Sequence, residues 1–406
     1  MPEFAYKAKS STGSITKGSV EAADQKAAIQ NLRAKKLLVL EINEKSEGGL
    51  SSLIGKINPF KPKVKSKDIV IFSRQLSTMV GAGVPIVQGL NILYSQIENP
   101  AFKVIVEKVK DDIEGGSAIA ESMAKHPAAF SELFINLVKA GELGGILDTI
   151  LERLADYLEA ANQLAAKVKG ALVYPAVVST VAISVTAFLL IFIIPTFGEV
   201  FSSFGKELPL PTQLLLDLSD FLRRYILFMI AGLVAAGFGF KQYAKTDTGS
   251  KKIDAIKLNI PIFGQLIRKV SIAKFTRTFG TLVRSGVPIL EALDTVARTS
   301  GNRVIEAAVL DAKEAIREGE KIADPLGKSG VFPPMVMQMI SVGEETGNLD
   351  TMLTKIADFY DAEVDTAVEG LTSMIEPIII VVMGIVIGAI VIAMFMPIFN
   401  MSSLVE

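Results

Sequence analysis

The sequence predicts an all-α fold of two duplicated cytoplasmic bundles, about six helices each, with three transmembrane helices and a small α+β amino-terminal module. Three observations carry this. First, residues 72–85, FSRQLSTMVGAGVP, recur at 275–288 as FTRTFGTLVRSGVP. Phe72, Arg74, Thr78, Gly83 and Pro85 are thus answered by Phe275, Arg277, Thr281, Gly286 and Pro288. A second block, Gly141-Glu142 with Gly145-Ile146-Leu147-Asp148, matches Gly343-Glu344 with Gly347-Asn348-Leu349-Asp350. A self-match this long marks a duplication and governs every local reading. Second, hydrophobic residues make up 50% of the chain and the mean hydropathy is positive. That balance implies a few membrane helices plus substantial soluble mass. Third, uncharged apolar runs long enough to cross a bilayer follow each repeat.

Residues 1–45 form the module. Phe4, Tyr6 and Ala8 alternate with polar residues as in a half-buried strand, and Ser10-Ser11-Thr12-Gly13 is turn chemistry before a second strand over 15–22. Asp24 is placed to cap a helix that turns Ala28, Ile29 and Leu32 inward, and 37–42 adds a short strand. So small a core is expected to lean on a partner, and the module's role is either docking or merely structural. Residues 46–66, with Gly48, Gly49, Pro59, Pro62 and spaced lysines, read as a solvated linker, with lipid headgroups the alternative contact for the lysines.

The first bundle occupies residues 67–170. Ile69, Phe72, Leu76 and Val80 share one helix face, Gly81 and Gly83 end that helix, and Pro85 suits the first turn of the next. Further helices are expected over 101–114, 118–125, 131–140 and 146–167, the last with Ile150, Leu154 and Leu158 inward and Glu152, Arg153, Asp156 and Glu159 outward. The second bundle, 271–372, repeats the plan. Gly141 and Gly343 are expected at left-handed corners.

Span one is expected at 171–197, a periplasmic loop at 198–220, span two at 221–241, span three at 376–398 and a periplasmic tail at 399–406. Pro175 and Pro377 stand where the chain passes into lipid. Lys167 and Lys169 precede span one, and Lys241, Lys245, Lys251, Lys252 and Lys257 follow span two, which puts both bundles in the cytoplasm. Arg223 and Arg224 fall on the other side and must reach headgroups. Gly384 and Gly388 form G-x-x-x-G, a close-packing face for another membrane helix. Glu376, beside Pro377, either pairs with a neighbouring cation or sits in the interface; the first copy has Tyr174 there.

Chemistry is sparse. With no Cys, one His and a net charge of -1, the chain lacks the means for a thiol nucleophile or a Cys-type zinc site, and nucleic acid has no support as a partner. His126 precedes a proline in a turn. Gly327-Lys328-Ser329 imitates a phosphate loop, but Ile322 stands where its first glycine belongs. Glu142, Asp148, Glu344, Glu345 and Asp350 flank glycine turns; they hold either Ca²⁺ or, the favoured reading, the positive start of the following helix. No cofactor is expected. A solute carrier would need ionisable groups at mid-membrane, and a membrane enzyme would need a nucleophile or base; neither is present in the runs.

The paired S/A-G-V-P-I turns, the G-E-x-x-G-x-L-D blocks, the Y-P and E-P span starts and the short amino-terminal domain resemble the type II secretion protein F family, which includes platform proteins of type IV pili. The resemblance covers the whole length. It implies a non-enzymatic inner-membrane platform, on the pilus side of the family, with type II secretion the alternative. It also implies contact with hexameric assembly and retraction ATPases, pilin subunits and other inner-membrane pilus alignment proteins, and self-association as a homo-oligomer.

Overall fold

The computed structural model describes residues 3–10, 15–22, 25–34, 37–44, 63–202, 209–261 and 263–402, which divide into an amino-terminal unit and a larger one beginning at Lys63. In the first unit, β1 (Glu3–Ser10) pairs antiparallel with β2 (Ile15–Glu21) on one side and β3 (Leu37–Glu44) on the other. The helix α1 (Gln25–Ala34) buries Ala28 and Leu32, one turn apart. The expected Asp24 cap, the turn at 11–13 and linker residues 46–62 lie outside the described residues.

The larger unit opens with α2 (Ser66–Gly81), α3 (Ile86–Gln96), α4 (Pro100–Glu114), α5 (Ile119–Ala124) and α6 (Glu132–Gly144). Then α7 (Leu147–Phe188) continues through a π-helical turn, Leu189–Ile193, into α8 (Ile194–Ser202). After it come α9 (Leu210–Tyr243) and α10 (Asp247–Asn259). The second repeat follows as α11 (Phe263–Arg284), α12 (Ile289–Thr299), α13 (Arg303–Arg317), α14 (Ala323–Lys328), α15 (Pro334–Thr346) and α16 (Leu349–Ser402). The matched phenylalanines centre both bundles. Phe72 meets Phe102 edge-on at 5.3 Å between ring centres, and Phe275 lies 4.7 Å from Phe332. Each is 1% exposed, and truncating such a ring costs about 3–5 kcal/mol.

The repeats share one core. A single apolar cluster runs from Phe72 through Leu154 to Ile272, Leu293 and Ile356. Polar bonds cross the seam: Tyr157 and Thr278 hydroxyls lie 3.0 Å apart, and Asn136 donates to the Thr295 hydroxyl at 2.8 Å.

Several boundaries depart from expectation. The helix expected to end at 167 and span one are a single 42-residue helix, and α16 is a single 54-residue helix carrying span three. At 1.5 Å per residue these are about 63 and 81 Å long. Pro175 and Pro377 lie inside them as helical residues. A proline forfeits one ladder bond, but in lipid every other backbone group still requires an internal partner, so the helix continues past it. The expected loop at 198–220 is largely helical, since α8 reaches Ser202 and α9 begins at Leu210 rather than at 221. The tail expected from 399 is helical to Ser402. The second bundle starts at Phe263 rather than 271, and α10 before it was not foreseen.

Candidate functional site: two glycine corners, a repeat seam and a clamp at the span ends

The G-V-P corners are built alike. Gly83 and Gly286 adopt φ values of 82° and 80°. Val84 N–H then reaches back to the Met79 carbonyl, and Val287 N–H to that of Leu282, the doubly bonded helix ending that a left-handed residue allows. Pro85 and Pro288 stand at the N-cap of the next helix, one position earlier than the first-turn site expected.

Gly141 and Gly343 are not corners. They sit inside α6 and α15, and the left-handed residues are Gly145 and Gly347. A Cβ on Gly141 would lie 3.0 Å from Ile150 side-chain atoms, and one on Gly343 3.0 Å from Leu349 and Met352. Bare glycine is what lets the long helix pack this closely. The adjacent glutamates hold the start of an earlier helix, not the following one. Glu142 accepts from the N–H groups of Ile119 (2.9 Å) and Ala120 (3.2 Å), and both Glu344 oxygens accept from Ile322 N–H. Each carboxylate thus caps a six-residue helix too short to hold itself. Asp148 and Asp350 do sit in the first turns of α7 and α16. Glu345 pairs with Lys321 at 2.9 Å. Among the described residues no group of three or more acidic, His or Cys side chains is placed to hold a metal ion.

One repeated site escaped the sequence reading. Arg74 on α2 grips Glu159 with two bonds (2.6 and 2.7 Å) and Asp156 at 2.5 Å, both on α7. Arg277 on α11 does the same with Asp358 (2.9 Å) and Asp361 (2.5 Å) on α16. Asp156 and Glu159, expected to face outward, therefore lock their bundle. The ion pairs raise both arginines, and the Arg74 guanidinium holds the Glu159 carboxyl below its ordinary range. Half-buried Lys274, on α11, borders an apolar groove of about 660 Å³ beside α7, and burial lowers its amine. His126 is likewise lowered by burial. Lys328 of the loop-like G-K-S pairs with Glu320, and the motif straddles the carbonyl end of α14, which repels phosphate.

At the end of the spans remote from the bundles, the α9 start clamps the other two. Leu190, Ile194 and Ile390 form a small core with Leu215, Leu216 and Leu222. A second matched pair of prolines explains two buried hydroxyls. In the π turn, Ile194 N–H bonds to the Leu189 carbonyl, so the next carbonyl, Leu190, would require an N–H from residue 195, which is Pro195. Fully buried Ser219 donates to Leu190 instead. Likewise Pro397 cannot donate to the Ala393 carbonyl, and Thr212, 6% exposed, does so at 2.5 Å. From Phe221 to Tyr243, by contrast, α9 exposes every residue except Leu222. Gly384 and Gly388 touch no neighbouring helix: a Cβ on either would meet nothing within 4 Å. Glu376 is exposed and makes no ion pair among the described residues.

A duplicated helical lobe whose closing helices are themselves membrane spans defines an integral membrane protein of scaffold type, with three helices among the described residues long and apolar enough to cross a bilayer. The chain belongs to the type II secretion system protein F family: residues 72–195 and 275–397 match Type II secretion system (T2SS), protein F, and 1–43 match that protein's N-terminal domain. It is 45% identical over 405 residues to the type IV pilus assembly protein PilC of Myxococcus xanthus, covering 100% of this chain and 96% of that one. It is 44% identical to PilC of Thermus thermophilus, covering 98% of each. Against type II secretion system protein F of Vibrio cholerae it is 31% identical, covering 100% of both.

Proposed function

We propose that the chain is a non-enzymatic inner-membrane platform of a type IV pilus machine. The carrying observation is that α7 and α16 run unbroken from bundle into bilayer. A displacement of either bundle therefore moves a span as one body. The flanking lysines support a cytoplasmic position for both repeats and the amino terminus. There, hexameric assembly and retraction ATPases push on the bundles. The spans pass that motion to pilin subunits entering or leaving the fibre, beside the inner-membrane alignment proteins and a second copy of the chain. The pilus relatives stand at 45% and 44% identity and the secretion relative at 31%, which favours a pilus over a secretion system.

A four-residue Gly-Ser insertion between Gly370 and Leu371 breaks the α16 lever while sparing bundle and span. The expected outcome is a membrane-inserted protein without fibres, with ATP hydrolysis by the isolated ATPase unchanged. Normal piliation with the insertion refutes the lever, and normal piliation in a deletion strain refutes the platform itself.

A further inference from the structure

The seam between the repeats gathers three arginines and a single carboxylate, Asp156, around one cleft. A cleft of about 200 Å³ is lined by Arg153 of α7, Arg277 and Arg284 of α11, and Thr354 of α16. The Arg277 charge is met by Asp358 and Asp361, and Asp156, also on the wall, is held by Arg74. Arg153 donates only to the backbone carbonyl of Arg284, at 2.5 Å, and Arg284 makes no ion pair among the described residues. Two guanidinium groups of the lining therefore have no carboxylate partner among the described residues. The duplication does not account for Arg284, whose matching position is Gly81, whereas the Arg153 position keeps a cation as Lys355. Arg153 stands about 33 Å along α7 from Pro175, and Thr354 about 35 Å along α16 from Pro377. Both levers thus border the cleft, at their ends remote from lipid.

We infer that this cleft seats an acidic side chain of a cytoplasmic protein, one carboxylate bridging the two repeats through Arg153 and Arg284. The cleft is below the roughly 300–1,000 Å³ of small-molecule sites, and guanidinium groups suit a carboxylate held by two bonds. An acid seated there presses on the roots of two spans together, which deepens the platform reading above and rests on it for the identity of the side facing the cleft. The binding chemistry does not rest on it.

The test uses the full chain in nanodiscs of neutral lipid, with fluorescently labelled hexaglutamate as probe. Saturable binding is expected, weakened about tenfold or more by Arg284→Gln and by Arg153→Gln. Arg317→Gln, which removes an equal charge from an exposed helix end, should leave it unchanged. Arg284→Gln should also keep the wild-type melting midpoint, since that side chain holds no ion pair. Absence of saturable binding, equal weakening by Arg317→Gln, or displacement of the peptide by inorganic phosphate at matched charge concentration each overturns the proposal. None of these outcomes bears on piliation in the deletion strain, so the two ideas fail separately.

Discussion

Thr212→Val removes a hydroxyl and keeps the shape. The Thr212 hydroxyl reaches the Ala393 carbonyl at 2.5 Å from a site 6% exposed. Pro397 removes the N–H that would otherwise serve that carbonyl. Hydrogen bonds between membrane helices average about 0.6 kcal/mol and reach about 1.7. An acceptor left buried with no alternative donor belongs at the upper end, so the variant should cost about 1.5 kcal/mol. The decisive assay is a double-mutant cycle in bicelles, following unfolding by SDS titration of the full chain. Pro397→Ala restores the backbone donor, so Thr212→Val made in that background should cost close to nothing. An equal cost in both backgrounds would refute the idea that α9 compensates for the proline.

Glu142→Ala should speed amide exchange at Ile119 and Ala120 about 30-fold, equivalent to about 2 kcal/mol of capping. Glu344→Ala, which releases one N–H rather than two, should do less at Ile322, and mass-resolved exchange separates the two. Arg277→Gln should destabilise by about 2 kcal/mol because Asp361 is 28% exposed and its second oxygen is already unpaired. The more exposed Arg74→Gln should cost about 0.5–1 kcal/mol. The Glu159 contribution has a defined sign: its carboxyl is lowered in the fold, so the Arg74 pair stabilises above the ordinary value of 4.5 and is lost as pH falls through the lowered one. Lys274→Met should raise the melting midpoint at pH 7, because burial penalises the charged amine, and the gain should fade as pH approaches 10.5.

How much of this was legible in the sequence follows from the range of each interaction. The duplication, the apolar runs and the matched Phe72 and Phe275 are sequence-local signals that directly reflect core and membrane. Helix continuity across Pro175 and Pro377 was not legible, because proline normally breaks a helix and only the lipid environment reverses the balance. Gly141 and Gly343 read as corners since a glycine before a charged turn often is one. The 3.0 Å approach to Ile150 and Met352 that sets their role is a packing fact. The Arg74 and Arg277 clamps did leave a signal, an acid pair three residues apart that begins 82 residues after the arginine in the first copy and 81 after it in the second. Thr212 and Ser219 left none, because their partners are carbonyls on other helices.

The account depends most on both bundles lying on one side of the membrane with the α9 start on the other. The chain contains no cysteine, so single exposed sites at Asp111→Cys, Asp311→Cys and Asp217→Cys report cleanly to a membrane-impermeant thiol reagent on intact spheroplasts. The account predicts labelling at position 217 alone, with 111 and 311 reacting only after lysis. Labelling of 111 and 311 from opposite faces would contradict it.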